Sequence, residues 1–528
     1  MTSDIDWVEL ATQYGTPTYV YDGAELAGQF RRLRDAVHDS LEIFFSLKSN
    51  PNRSFFEVLQ FAGARAEVSS LAELRTVLAA GADPANIIFL GPGKSETEIA
   101  ACVEAGIYAI VCESFDELDH IDRAAGERGV RQRVLIRVNP AAPIAGSRLS
   151  MGGKPRQFGI DEEAVLASGG TLTGYRHADV AGIHAYLGTR ILDHGVILAN
   201  TAYVLDLADR IVESTGIRLD AVDIGGGLGV GYFDNENDLD LEGLAAELNP
   251  LVDKFATGHP DTRLMLESGR YLAAGCGTYL MRVRYTKKSR GVSFAVTDGG
   301  THQHMAAIGI GSFVKRNFPI DVLSGSAGEP GPTDLWTISG PLCTPNDTIA
   351  KAVALPALKP GDLLGVRRSG AYGPSASPVY FLSHGHPAEV LLWRGRSFLV
   401  RRRDTVEDVL ERQVVHPGLI HDAPPSDRIP KLGENMSSAI DAREIREFLR
   451  SELSTILDKD LPDLTDDMNL LHEVGLDSIE VVEVLMAMED SLGLVIDPDE
   501  LTPEIFETVG SLTTYIRASL ANAPADAV

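Results

Sequence analysis

Short apolar runs alternate with segments of helical spacing through the first half of the chain, and this alternation constrains the fold more than any other feature. Eight such runs occur in order, at residues 43–48, 66–69, 87–90, 108–111, 134–138, 180–185, 221–224 and 264–267. Strands separated by helices predict a parallel sheet, and eight β/α units in about 230 residues match the size of a closed barrel. We therefore predict an α/β protein built on a (β/α)8 barrel.

The pattern changes near Thr278, where strands follow one another without helices, and this spacing predicts an antiparallel β domain. One of its predicted strands covers residues 379–383. We place the barrel at 36–277 and the β domain at 278–415, with residues 1–35 as an N-terminal segment that contributes to the β domain. A proline-rich linker at 416–436 then leads to a small all-α helical bundle at 437–522, with helices predicted at 441–457, 478–492 and 509–520.

Charge and cysteine content limit the class of protein. The net charge of −28 argues against nucleic acid as a partner, and residues 437–520 hold 20 acidic but only 5 basic residues. No apolar run is long enough to span a bilayer, and the first residues lack the pattern of a signal peptide, so we expect no membrane association. The four cysteines form no CxxC pair, which favours a reduced, cytoplasmic protein with Cys102, Cys112 and Cys276 as core thiols.

Polar residues recur where the predicted barrel strands end, and in such barrels the active site lies at that edge. They include Lys48, the turn from Asp223 to Gly229, and Glu267. Alone, a lysine here usually reaches solvent, and a glycine-rich turn usually has a conformational cause. Together, a lysine, a loop able to hold a phosphate and a buried carboxylate suggest pyridoxal phosphate. The lysine would form the Schiff base, and the carboxylate would keep the pyridine nitrogen protonated.

Several ordered motifs carry a family resemblance over roughly residues 15–415. FFSLKSN, VSSLAEL, GPGK, RVNP, QFGI, DIGGG and ESGR resemble segments of the fold-type III pyridoxal-phosphate decarboxylases of ornithine, arginine and diaminopimelate. The resemblance implies that Lys48 bears the cofactor and that Glu267 meets its pyridine nitrogen. It also implies a set of phosphate-binding residues, namely Gly225, Gly226, Gly227, Gly269 and Arg270.

Two later segments resemble parts of the same family. The turn containing Cys343 is similar to one whose cysteine enters the neighbouring subunit's site, and Tyr372 matches a tyrosine that reaches the cofactor. The resemblance therefore implies a homodimer whose active sites are built from two chains.

The chain also departs from the family pattern. Tyr186 stands where a histidine usually stacks on the pyridine ring, while Thr189 keeps a hydroxyl for the phosphate. A tyrosine can still stack, but it carries no charge near neutral pH. Glu67 replaces the usual aspartate, and Thr344 replaces an acid that lies near the far amine of dibasic substrates. The segments LGTR, MGGKPRQFGI and GPLCTPND are most similar to the branch that decarboxylates a glutamyl group held on a carrier protein in the butirosin pathway.

The acidic C-terminal segment contains Ser478 at the start of a predicted helix, where free N–H groups and the helix dipole favour a phosphodiester. By itself, Asp-Ser before a helix is only a capping signal. The region 441–520 resembles an acyl or peptidyl carrier protein, which implies 4′-phosphopantetheine on Ser478 and an acidic face toward partner enzymes. Those partners would be a phosphopantetheinyl transferase, a carrier-loading ligase or adenylation enzyme, and a downstream acyltransferase or assembly-line enzyme.

The resemblance implies a decarboxylase whose acidic amino acid is held through its side-chain carboxyl as a thioester on the carrier. The substrate's α-amine would displace Lys48, and Cys343 or Lys48 would protonate the carbanion. The product would be an ω-aminoacyl thioester for natural-product biosynthesis. Two alternatives stay open: a decarboxylase or racemase of a free amino acid whose carrier serves a separate step, and a degenerate, non-catalytic barrel that docks the carrier, suggested by Tyr186 and Glu67.

The HxH pair of His302 and His304 could chelate a metal, but it offers no third ligand. We therefore expect a surface or hydrogen-bonding pair there and no metal site, and we expect the same of His384 and His386.

Overall fold

The computed structural model describes residues 5–141, 156–233, 235–308, 317–324, 333–414, 442–456, 461, 464–470, 505 and 507–522. Its helices are α1 Trp7–Tyr14, α2 Gly23–Ala36, α3 Arg53–Ala62, α4 Leu71–Ala79, α5 Glu96–Ala105, α6 Phe115–Glu127, α7 Glu162–Ala167, α8 His194–Thr215, α9 Leu241–Gly258, α10 Arg270–Ala273, α11 Val406–Leu410, α12 Ala442–Ile456 and α13 Val509–Asn522. Its strands are β1 Thr18–Asp22, β2 Leu41–Ser46, β3 Arg65–Val68, β4 Ile87–Phe89, β5 Ala109–Cys112, β6 Gln132–Asn139, β7 Ile160–Asp161, β8 Ala178–His184, β9 Ala221–Asp223, β10 Arg263–Ser268, β11 Gly277–Ser289, β12 Val292–Thr297, β13 Ile320–Val322, β14 Thr333–Ser339, β15 Thr348–Pro356, β16 Leu363–Arg367, β17 Ala388–Trp393 and β18 Arg396–Arg401.

Eight parallel strands close into the predicted barrel. They pair in the order β2, β3, β4, β5, β6, β8, β9 and β10, and β10 returns to pair with β2. Alternation along β2 places Phe44 in the interior of the barrel with Ile88, Leu135 and Met265. All eight apolar runs identified in the sequence correspond to these strands, so the barrel is confirmed.

The segment that carries Lys48 turns sharply after β2. The strand ends at Ser46, and Lys48 lies in a short 3-10 turn that is closed by a hydrogen bond from Asn50 N–H to the Leu47 carbonyl, at 2.8 Å. Asn52 then caps α3, because its side chain accepts a hydrogen bond from Ser54 N–H. The lysine therefore projects from a turn rather than from the strand itself.

The second sheet contains strands from both ends of the first 414 residues. Its main path runs β15-β14-β12-β11-β1-β17-β18, and β16 and β13 are attached through β11. β1 lies antiparallel to β11 but parallel to β17, and β12 lies parallel to β14, so the sheet is mixed rather than purely antiparallel. Long connections separate the parallel partners, which is what parallel pairing requires.

The strand predicted at 379–383 is wrong. The segment forms a turn with a 3-10 helix at Phe381–Ser383, and Leu382 has a φ of 51°. Val379 is buried, but Tyr380, Phe381 and Leu382 are exposed, with Phe381 keeping 47% of its surface accessible. A run of apolar residues therefore does not correspond to a buried strand here.

The chain divides into two compact units, Met1–Val414 and Val415–Val528. In the second unit, Ile445, Leu449 and Leu453 are buried on α12, and Val509, Leu512 and Ile516 are buried on α13, which packs against α12. The spacing of four residues on α12 is that of one helix face. The helix predicted at 478–492, including Ser478, lies outside the described residues. No helix that the structure describes is long and apolar enough to cross a membrane.

Candidate active site

A cavity opens where strands β2, β8, β9 and β10 end. Its lining includes most of the residues selected from the sequence. The lining residues are Ser46, Lys48, Tyr186, Thr189, Gly227, Leu228, Glu267, Gly269, Arg270 and Tyr372. The fold thus brings together, from positions more than 300 residues apart, a set of side chains that the sequence presented as separate motifs.

The amine of Lys48 lies beside a buried carboxylate. Its Nζ is 3.4 Å from Oε2 of Glu67, which is fully buried, and 5.6 Å from the ring centroid of Tyr186. Burial disfavours the charged amine, but the negative charges of Glu67 and then Glu267 outweigh that penalty and raise the pKa of Lys48 above its ordinary value. At neutral pH this amine is therefore protonated until a reaction removes its charge.

Glu267 is held by a histidine that the sequence analysis did not select. His184 Nε2 lies 3.0 Å from Glu267 Oε1, and both side chains are buried. Because a carboxylate only accepts hydrogen bonds, Nε2 donates to it. Burial alone would raise the pKa of Glu267, but the hydrogen bond and charge of His184, with smaller contributions from Lys48 and Arg137, hold it below its ordinary value. Glu267 is thus kept as an anion at the floor of the cavity.

Asp223 is a second buried acid close to Glu267. Burial and the nearby charge of Glu267 raise the pKa of Asp223 well above its ordinary value, although its Oδ1 accepts a hydrogen bond from Gly225 N–H at 2.9 Å. Ligand atoms of His184, Asp223 and Glu267 all lie within 4.8 Å of one another. Within this group His184 donates a hydrogen bond to Glu267, while Oδ2 of Asp223 is buried without a hydrogen-bond partner among the described residues.

The glycine loop is tightly confined by its neighbours. Gly225 has a φ of 69°, and a Cβ at Gly226 would lie 2.1 Å from the carbonyl oxygen of Glu267. Glycine is therefore required on steric grounds, whatever the loop binds. The result is a backbone segment without side chains at the edge of the cavity, which is the property that a phosphate cradle needs.

Arg270 and Tyr372 form another part of the cavity wall. The guanidinium of Arg270 donates to the hydroxyl of Tyr232 at 3.2 Å, and its Cζ lies 4.4 Å from the ring centroid of Tyr372. Tyr372 has a φ of 54°, a conformation that is costly for a bulky residue, and its N–H donates to the Ser49 carbonyl at 2.7 Å. Such strain is common at functional sites, where the surrounding structure compensates for it.

Two unpaired polar atoms show what this cavity would bind. Among the described residues, Oε2 of Glu267 and Nε of Arg270 are buried and have no hydrogen-bond partner. A buried anion without a partner suits a protonated pyridine nitrogen, and a free guanidinium N–H near a glycine loop suits a phosphate. With the amine of Lys48 in the same cavity, the residues present fit pyridoxal phosphate.

Four predicted site residues are not among those that line the cavity. Two of them, Gly225 and Gly226, directly precede the lining residue Gly227. Cys343 is exposed in the turn in which Leu342 N–H donates to Asp347 at 2.7 Å, and Ser478 lies outside the described residues. Cys102, Cys112 and Cys276 are buried, as expected of core thiols.

Of the two expectations for the HxH pair, a surface location or a hydrogen-bonding role, the second describes His304. His302 and His304 are both buried, and Nε2 of His304 lies 2.7 Å from the hydroxyl of Ser369. Burial, together with the neighbouring His384, lowers the pKa of His302 to about 4, so the imidazole stays neutral. The loop that carries this pair packs beneath the rings of the β domain, where Tyr19 lies 5.8 Å from His304.

A signal for His184 was present in the sequence. Side chains alternate along a strand, so His184 shares a face with Tyr186, two residues further along the chain and already a candidate. The same alternation does not assign a role to Asp223. The residues that follow it form a glycine loop, so no selected side chain lies two residues further along the chain. The place of Asp223 beside Glu267 depends on the closure of the barrel.

Comparisons with known proteins agree with this site. The family model for the pyridoxal binding domain of pyridoxal-dependent decarboxylases matches residues 24–274, and that for the phosphopantetheine attachment site matches residues 447–516. The chain is 38% identical over 408 residues to L-glutamyl-[BtrI acyl-carrier protein] decarboxylase of Niallia circulans, covering 77% of this chain and 95% of that protein. It is 33% identical over 413 residues to diaminopimelate decarboxylase of Pseudomonas aeruginosa, covering 77% of this chain and 95% of the relative.

Among solved structures, diaminopimelate decarboxylase of Helicobacter pylori complexed with L-lysine superimposes with a TM-score of 0.69 at 28% identity, over 77% of this chain and 98% of that one. Both cofactors expected from the sequence, pyridoxal phosphate and phosphopantetheine, agree with these matches. The protein belongs to the fold-type III pyridoxal-phosphate-dependent decarboxylases, the family of the ornithine, arginine and diaminopimelate enzymes, and it carries a C-terminal phosphopantetheine attachment domain.

Proposed function

We propose that this decarboxylase removes the α-carboxyl group of an acidic amino acid held on the phosphopantetheine arm of Ser478. The presence of a decarboxylase and a phosphopantetheine attachment domain in one chain carries the proposal. A carrier is needless for a free amino acid, whereas the relative from Niallia circulans is named for a glutamyl group on a carrier protein. The substrate class proposed here is glutamate or aspartate in thioester linkage.

The chemistry requires a particular linkage. Loss of the α-carboxylate as CO₂ needs that group to be free, so the thioester must use the side-chain carboxyl. The carbon–carbon bond breaks, its electron pair remains on Cα, and a proton replaces the carboxylate there. The product is an ω-aminoacyl thioester, which an acyltransferase or assembly-line enzyme can use.

Each cavity residue has a role in this proposal. Pyridoxal phosphate, when bound, supplies an electron sink for the pair released with CO₂. Lys48 would provide the amine that holds the cofactor. Glu267, kept anionic by His184, would hold a proton at the pyridine nitrogen, while the loop at Gly225–Gly227 and Arg270 would hold the phosphate. Tyr186 faces the Lys48 amine at 5.6 Å and remains uncharged at neutral pH.

The proton donor at Cα is proposed to come from Lys48 or from Cys343. Because Cys343 is exposed and does not line the cavity of its own chain, its role requires a second chain. We therefore propose a homodimer in which Cys343 of each copy completes the cavity of the other. Thr344 beside it offers a hydroxyl instead of a carboxylate, which suits a substrate without a distal amine.

Intact-protein mass spectrometry tests the proposal in two steps. Borohydride reduction after incubation with pyridoxal phosphate should leave the adduct on the peptide containing Lys48. The adduct should be lost in Lys48→Ala but kept in Lys254→Ala, which changes an exposed lysine of α9. In the second step, glutamate is attached to the carrier of the full chain through the side-chain carboxyl of the amino acid. The mass of the loaded protein should then fall by the mass of CO₂. Turnover of free glutamate or diaminopimelate in preference to the loaded carrier would contradict the proposal.

A further inference from the structure

The β11–β12 hairpin is a basic surface in an acidic protein. Residues 277–297 contain five lysines and arginines but no aspartate or glutamate, in a chain of net charge −28. Arg284, Lys287, Lys288 and Arg290 are exposed, and none of them forms an ion pair with a residue that the structure describes. Unpaired cations repel one another, so their concentration on one hairpin favours a negatively charged partner.

Exposed apolar side chains lie among these cations. Tyr285 keeps 69% of its surface exposed on β11, and Val292 begins β12. Leu335 is 63% exposed on β14, which is paired in parallel with β12. A solvated charged face does not need such residues, whereas a protein interface combines apolar contact with a charged rim. The hairpin therefore has the composition of a protein-docking surface.

The base of the hairpin adjoins the turn that carries Cys343. The hydroxyl of Thr297, the last residue of β12, donates to the carbonyl of Ser339 at 3.1 Å, and Gly340 N–H donates to the carbonyl of Asp347 at 3.1 Å. Asp347 also accepts a hydrogen bond from Leu342 N–H, next to Cys343. The hairpin and the Cys343 turn thus lie on neighbouring parts of the β domain. A partner docked on the hairpin would lie near the cavity that Cys343 completes.

We propose that this hairpin docks the acidic carrier region, residues 437–520, of a second copy of the chain. The inference rests on the proposed function, since it names the surface that receives the loaded carrier. Charge complementarity identifies the occupant, because that region holds 20 acidic and 5 basic residues. Complementary charge mainly accelerates encounter and fixes orientation, and its effect weakens as salt screens it. The overall charge of −28 disfavours nucleic acid on the same hairpin.

Charge reversal in the full-length, pyridoxal-phosphate-loaded protein tests the proposal. The triple variant Lys287→Glu, Lys288→Glu, Arg290→Glu should slow single-turnover loss of CO₂ from the loaded carrier about tenfold at low salt, because attraction becomes repulsion. Turnover of a small glutamyl thioester without a carrier should stay unchanged. Equal slowing of both substrates would overturn the docking role.

A matched triple variant controls for net charge. Arg31→Glu, Arg75→Glu, Arg123→Glu makes the same change at exposed arginines on α2, α4 and α6, and it should leave carrier turnover unaltered. If both triple variants slowed the reaction equally, the effect would be one of net charge and the hairpin would not be the docking surface.

A second measurement does not depend on decarboxylation, so it separates failure of the docking surface from failure of the proposed function. A fluorescent pantetheine attached to Ser478 of the full chain should show high anisotropy at low salt. The anisotropy should fall on adding salt and in the hairpin triple variant. An anisotropy that is the same in the hairpin triple variant would overturn the docking surface even if the carrier-bound substrate is decarboxylated. In dimers of the labelled parent chain with excess unlabelled triple variant, an anisotropy that stays high would overturn the assignment to a second copy.

Discussion

A methyl group added at Gly226 should impair decarboxylation and cofactor binding while leaving the fold intact. The new Cβ would lie 2.1 Å from the carbonyl oxygen of Glu267, whereas ordinary contacts of this kind begin near 3.4 Å. The loop and β10 must therefore separate by about 1 Å, and a misplacement of this size costs roughly 100-fold in rate. Displacement of either segment alters the cavity, because β10 carries Glu267 and the loop continues to Gly227, and both residues line the cavity.

The assay for Gly226→Ala measures decarboxylation of the loaded carrier together with the dissociation constant of pyridoxal phosphate. We expect the rate to fall about 100-fold and cofactor binding to weaken, while far-ultraviolet circular dichroism stays that of the parent. Gly258→Ala is the matched control, because a Cβ there, at the end of α9, meets nothing within 4 Å. Equal activity of the two variants would refute the reasoning that the loop is held against Glu267.

Three further changes follow from the same contacts. Glu67→Gln removes the carboxylate that lies 3.4 Å from Lys48 Nζ, so the pKa of the Lys48 amine should fall. Imine formation with added pyridoxal phosphate at pH 7, followed by its absorbance, should therefore accelerate. An unchanged rate would contradict the role of the ion pair. His184→Leu should cost about 1–3 kcal/mol of unfolding free energy in denaturant titrations. Because the folded pKa of Glu267 is lowered, this cost should be full at neutral pH and shrink as pH falls below the ordinary carboxyl range. Phe44→Ala, inside the barrel, should cost about 3–5 kcal/mol in the same titrations, and a loss below 1 kcal/mol would show that the interior is loosely packed.

The strands of the barrel could be predicted because their signal is local. Each barrel strand is buried on both faces, so its residues form a continuous apolar run in the sequence, such as the one around Phe44. Lys48, Glu267 and Arg270 were likewise found from short motifs that mark strand ends. The same kind of prediction failed at residues 379–383, where Tyr380, Phe381 and Leu382 are exposed in a turn, because local composition does not reveal which side of the β domain faces solvent.

The amino-acid sequence by itself determined the order of β/α units, the motifs at their ends and the acidic C-terminal region. Only the tertiary structure decided that Glu67 lies beside Lys48, that His184 holds Glu267, and that burial near Glu267 raises the pKa of Asp223. These outcomes depend on burial and on charges brought within a few ångströms by barrel closure, since the energy between two charges depends on their separation and surroundings rather than on their distance along the chain.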